Sequence, residues 1–82
     1  MKKIEKCCEL LMRVMTLNET NKDGFYYSLD FNGNVNSITF SKRDANHNSI
    51  VMVYAYLDAD DLGHPLSAVE KAIEIEENEY GN

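Results

Sequence analysis

The chain contains no apolar run of about eighteen residues, so no segment of it can span a membrane as a helix. Met1-Lys2-Lys3 has the charge of a secretory leader, but Glu5 and Glu9 interrupt the apolar stretch that would have to follow. The expectation is a protein without a signal peptide that works in the cytoplasm. Cysteine is scarce as well: Cys7 and Cys8 are the only two, and they are neighbours. A bridge between neighbours would be strained and would close no useful loop. No second Cys/His pair stands at zinc-ligand spacing. The two thiols therefore read as small apolar residues on a helix.

Catalytic motifs are missing too. There is no G-x-S-x-G, P-loop, H-E-x-x-H or glycine-rich phosphate loop. His47 lies in a polar stretch and His64 precedes Pro65, and neither has a nucleophile or an orienting acid at motif spacing. A non-enzyme with no catalytic residue and no cofactor is expected, the enzymatic alternative being His64 acting with a carboxylate from 58–61. Asp58, Asp60 and Gly63 imitate three positions of a calcium loop, but Leu62 and Val69 stand where oxygen ligands are required, so no metal is expected.

Basic residues are concentrated at one end. Residues 1–57 carry a net +1, whereas residues 58–82 hold eight acids against Lys71 alone, a net −7. Such an end repels nucleic acid and anionic membranes, and favours a basic protein partner.

Lys2 to Leu17 has the periodicity of an amphipathic helix. Its apolar stripe is Ile4, Cys7, Cys8, Leu11, Val14 and Met15, widened on one flank by Leu10 and Leu17. The polar run Asn18 to Gly24 closes it. Residues 25–31 alternate as a strand, with Phe25, Tyr27, Leu29 and Phe31 on one face. Asn32-Gly33 then forms a strong hairpin signal. A two-residue loop there sets Phe25 opposite Phe40, Tyr27 opposite Ile38 and Ser28 opposite Ser37, joining the apolar sets of strands 25–31 and 34–41. A slip of one residue would mix the faces.

Ser41 to Ser49 reads as a polar connection, and 49–57 as a third strand rich in β-branched and aromatic residues. That strand does not alternate. Either Val51, Val53, Ala55 and Leu57 face the core, or Ile50, Met52, Tyr54 and Tyr56 do, which leaves one apolar row to spare. A second helix is expected over 65–78, starting at Pro65 or through the capping-box pattern Ser67-x-x-Glu70. Leu66, Val69 and Ile73 form its stripe, thin enough for a helix that covers the core rather than filling it. Residues 79–82 would be a frayed acidic tail.

The fold class is thus α+β: helix, three-stranded antiparallel meander, helix, with one sheet layer packed by helices and a single domain over 1–82. This is also the element order of double-stranded RNA-binding domains. Those need basic residues near the start of the second helix, where this chain has Asp58, Asp60, Asp61 and Glu70. Direct nucleic-acid binding is therefore excluded.

With Cys7-Cys8, Asn32-Gly33 and the acidic stretch from Asp58 in view, the organisation resembles that of small phage-encoded anti-CRISPR proteins. The likeness is to the acidic nuclease blockers built from a helix, three antiparallel strands and a further helix, and it lies in size, charge and element order. It implies a non-enzymatic inhibitor or adaptor that mimics nucleic acid towards a basic cleft. The residues expected to bind that protein are Asp58, Asp60, Asp61, Glu70, Glu74, Glu76 and Glu77, with Tyr54, Tyr56 and Tyr26 as the adjoining aromatic patch. The alternative is a structural homodimer or larger homo-oligomer associating through strand 49–57.

Overall fold

The computed structural model describes residues 2–20, 24–57 and 65–80. Helix α1 runs Lys2–Thr20 and helix α2 runs Leu66–Tyr80. Strands β1, β2 and β3 cover Tyr26–Asn32, Ser37–Arg43 and Ser49–Tyr56, and pair antiparallel in the order β1-β2-β3. The α+β class and the element order are those expected. The buried strand residues Tyr27, Ile38, Phe40 and Ala55 share one face of the sheet, and both helices lie on that face. α1 sits over β1, α2 over β3 and part of β2, and the helices touch side by side.

Phe40, on the central strand, is fully buried beneath Leu10, Val14 and Leu17 of α1 and Val69 and Ile73 of α2. This corrects the expected stripe on α1, since Ile4, Leu11 and Met15 are 57%, 44% and 59% exposed. The reason is rotational. Apolar residues cover more than half of this helix's circumference, so periodicity does not say which half is buried; α2, packing on the Leu10–Leu17 side, decides it. α1 also runs three residues past the expected end at Leu17. Thr16 and Thr20 donate their hydroxyls back to the carbonyls of Met12 and Thr16, each at 3.0 Å, and the side chain of Asn18 is bonded to β1.

The first hairpin keeps its face assignment but not its register. Leu29, not Phe25, faces Phe40; Phe31 faces Ile38, Tyr27 faces Lys42 and Ser28 faces Ser41. The loop spans residues 33–36 rather than Asn32-Gly33 alone. Asn32 Oδ1 accepts from the Asn34 amide at 3.0 Å, and Asn36 takes a left-handed φ of 53°. A two-residue turn would have put Asn34 and Asn36 in the strand, where asparagine is disfavoured. The wider loop removes both, and because the slip is by an even number of positions the apolar faces still meet.

β2 consequently reaches Arg43, and the expected polar connection shrinks to 44–48. Asp44 ties that loop: its carboxylate accepts from the amides of Asn46 at 2.8 Å and Asn48 at 3.0 Å. These backbone amides hold the carboxyl below its ordinary range. In β3 the ambiguity resolves in favour of Val51, Val53, Ala55 and Leu57 on the core side. α2 begins at Leu66, with the Pro65 carbonyl accepting from the Ala68 amide at 3.0 Å, so the Ser67 capping box lies inside the helix and is not its start. The helix also takes in Glu79 and Tyr80, expected as tail. Val69 and Ile73 are wholly buried, so α2 fills the core as well as covering it.

Candidate functional site

Two surfaces were expected to bind a partner, and the structure treats them very differently. The first is the acidic set. Asp58, Asp60 and Asp61 lie outside the described residues, as does His64. On α2, Glu70 and Glu77 face α1 rather than solvent alone. Arg13 forks onto Glu77, with Nε donating to Oε2 at 2.9 Å and Nη2 to Oε1 at 2.6 Å. The same guanidinium donates through Nη1 to Glu70 at 3.1 Å and Glu9 at 3.3 Å. Lys6 Nζ lies 2.7 Å from Glu70 and 3.2 Å from Glu9. The hydrogen bond from Lys6 chiefly lowers the Glu70 pKa, and that from Arg13 the Glu77 pKa; Arg13 is itself held further towards its charged form, chiefly by Glu77.

Glu76 is withdrawn altogether. It continues the inward stripe Val69–Ile73 and is 5% exposed. Its Oε1 lies 2.8 Å from Lys42 Nζ and accepts from the Tyr27 hydroxyl at 3.0 Å. Lys42 is 5% exposed and stands 4.1 Å over the Phe25 ring. A buried carboxylate paired and hydrogen-bonded in this way joins α2 to β1 and β2, and removing one partner would strand a charge in the core. Of the four acids on α2 expected at the interface, Glu74 alone is exposed with no ion pair among the described residues.

The second surface is the face of the sheet away from the helices. β3 presents Met52, Tyr54 and Tyr56 there, 56%, 40% and 37% exposed, while Ile50, also exposed, is the extra residue of a β-bulge opposite Lys42 and Arg43. The Tyr54 and Tyr56 rings meet edge to face with centroids 5.7 Å apart. On β2 their cross-strand neighbours are small: Ser41 opposite Met52, Thr39 opposite Tyr54, Ser37 opposite Tyr56. The middle of the face is therefore a floor of hydroxyls, with Ser28 Oγ and Ser41 Oγ 2.6 Å apart, beside a raised apolar wall. Tyr26 stands across the floor on β1, stacked on His47 at 6.1 Å. The structure thus places Tyr54 and Tyr56 side by side and sets Tyr26 apart from them at the far edge.

No protein-family model, curated protein or solved structure matches this chain. Among the described residues no group of three or more His, Cys, Asp or Glu could hold a metal ion. No described helix is long and apolar enough to cross a membrane.

One feature escaped sequence reasoning. The groove between the N-terminal half of α1 and the hairpin end of the sheet has a volume of about 350 Å³ and almost wholly apolar walls, among them Ile4, Cys8, Leu11, Leu29 and Phe31. Its signal was the excess breadth of the α1 stripe. Both cysteines are free, Cys8 exposed and Cys7 half-buried, and burial raises the Cys7 pKa. A raised pKa keeps a thiol protonated and unreactive at neutral pH.

Proposed function

We propose that this chain is a non-enzymatic protein-binding module whose contact surface is the helix-free face of its sheet. The observation that carries the proposal is the row Met52, Tyr54 and Tyr56, all exposed along one strand and opposed by the small hydroxyl residues Ser41, Thr39 and Ser37. Aromatic side chains and methionine are enriched in protein interfaces, and tyrosine contributes apolar area together with a hydrogen-bonding tip. An apolar row on an otherwise polar face is the kind of patch that marks such a site. Ser37 and Ser41 are buried beneath this row, and Thr39 between them is half-buried. The partner's matching surface would then be a ridge that reaches Thr39 and leans on the tyrosines.

The finer form of the proposal takes the partner to be a basic, nucleic-acid-binding protein of the CRISPR type, met in the cytoplasm of a host cell. Its support is the net −7 of residues 58–82. The pairing of Glu70, Glu76 and Glu77 within the chain shifts that role onto Asp58, Asp60, Asp61 and Glu74.

Retention of a partner from the cells that make the protein, compared between the wild type and Tyr54→Ala/Tyr56→Ala, tests the surface. A partner held equally well by the folded double variant would sink the proposal. Reversal of Asp58, Asp60 and Asp61 to Lys tests the finer form. Unchanged affinity and unchanged salt dependence would remove the electrostatic part and leave the sheet face standing.

A further inference from the structure

The acids expected to meet a basic partner all lie within residues 58–82, yet the tyrosine face carries an acid of its own on β1. Asp30 pairs with Thr39, and Thr39 with Tyr54, so the three stand in one row across the sheet. Cross-strand partners share a face, which here is the helix-free one. Asp30 is exposed and makes no ion pair among the described residues. Its Oδ2 accepts from the Ser28 hydroxyl at 3.4 Å. Thr39 is half-buried and Tyr54 is 40% exposed. We infer that this row seats an arginine side chain of the partner protein, an inference that rests on the sheet face being the contact surface.

Spacing and chemistry select that occupant. Neighbouring strands lie about 4.8 Å apart, so Asp30 and Tyr54 stand about 10 Å apart with Thr39 midway. A guanidinium resting on Thr39 has the carboxylate on one side, within hydrogen-bonding reach. On its other side is the Tyr54 ring, within the roughly 6 Å of a cation–π contact. The planar fork gives two parallel N–H bonds to Asp30 and can still lie against the ring, and weak hydration lowers the cost of leaving water. A lysine ammonium brings the charge without the fork. Phosphate or carboxylate would be repelled by Asp30, and an apolar side chain would cover that carboxylate without pairing it.

Charge along the face agrees. Arg43 pairs with Tyr26 at the far end of the face, where His47 stacks on the same tyrosine. From Thr39 to Arg43 along β2 is about 13 Å. That exceeds the roughly 8 Å over which exposed charges are felt at physiological salt. The face is therefore negative at the Asp30 row and positive at the Tyr26 end, and a cation fits the first and not the second.

NMR titration of the full chain with the capped tripeptide Gly-Arg-Gly tests the seat. The wild type should show amide shifts at Asp30, Thr39 and Tyr54 that saturate in the millimolar range, as expected of one side chain. Citrulline in place of the peptide's arginine keeps the shape without the charge, and should weaken binding about tenfold or more. Asp30→Asn and Tyr54→Leu, both at exposed positions, should each weaken it at least roughly fivefold while the rest of the spectrum stays that of the folded wild type. Wild-type amides that do not shift, equal binding of the citrulline peptide, or an unchanged titration in Asp30→Asn would each overturn the inference. Partner retention separates this inference from the reading beneath it. If Asp30→Asn holds the partner as the wild type does and folded Tyr54→Ala/Tyr56→Ala loses it, the arginine seat is wrong and the face stands. If both variants hold the partner, both readings fail.

Discussion

The two edges of this sheet are built on opposite plans. At β1 the side-chain amide of Asn18 reaches from the end of α1 and takes both backbone groups of Tyr27. Its Nδ2 donates to the Tyr27 carbonyl at 2.8 Å, and its Oδ1 accepts from the Tyr27 amide at 2.9 Å. Asn18 thus stands in for one residue of a further strand, and Asp30 adds a charge farther along the same edge. β3 has the longer apolar sequence, with no charge or proline from Ser49 to Tyr56, and a β-bulge at Ile50 interrupts it. A sheet closed by a side chain on one edge and left apolar on the other is polarised. The difference sets an exposed aromatic row on β3 against a strand clasped by Asn18 at β1.

The comparison can be broken most forcefully from the core that both edges share. Glu76→Ala takes from buried Lys42 the carboxylate 2.8 Å away, and should lower stability by about 3 kcal/mol in urea denaturation. Replacing both partners by apolar residues, as in Lys42→Met/Glu76→Leu, should recover most of that loss, because no buried charge remains. If the single and double variants were equally unstable, the pair would not be what joins α2 to the sheet.

Next in size is the clasp on β1. Asn18→Ala removes two hydrogen bonds from Tyr27 and should cost about 1–2 kcal/mol. It should also speed amide exchange at Tyr27. An Asn18→Ala chain with unchanged exchange at Tyr27 would show that the two edges do not differ in the way described.

Smaller still is the pH dependence of the interhelical ion pairs. The carboxyls of Glu70 and Glu77 are held below their ordinary pKa of 4.5 by Lys6 and Arg13. Their contribution is complete above pH 4.5 and is lost as pH falls through the depressed values. The side chains are 30% and 31% exposed, so solvent screening limits the effect to about 1 kcal/mol or less. Glu70→Gln/Glu77→Gln should flatten the acid limb of the stability profile by that amount. An acid limb of unchanged steepness would mean that other carboxylates account for it. Comparable in size, Tyr54→Ala should lower stability by about 1 kcal/mol through loss of its edge contact with Tyr56, while lowering partner affinity. A large loss of stability would mean that the outer row is structural.

Much of the fold was legible in the pattern of residues. Alternation in 25–31 and the β-branched run 49–57 named the strands, and the 3.6-residue period named the helices. The hairpin keeps the expected faces although its register differs, since a slip by an even number of positions moves no side chain to the other face. The turn is wider than Asn32-Gly33 alone implies because Asn34 and Asn36 also resist a strand. The candidate site was half legible. Two apolar rows on β3 announced an exposed face, whereas Glu76 looked like every other acid of α2.

What the sequence by itself determined is local: which segments are helix or strand, which residues within each share a face, and that residues 58–82 carry the negative charge. Tertiary packing decided the rest. It chose which half of a broadly apolar α1 is buried, because α2 occupies one of its flanks. It turned Glu70 and Glu77 inward to Arg13 and Lys6, and sank Glu76 beside Lys42. Those outcomes depend on residues 34 to 64 positions apart in the chain, and no local period carries that information. The same packing put both helices on one side of the sheet and left Met52, Tyr54 and Tyr56 exposed on the other.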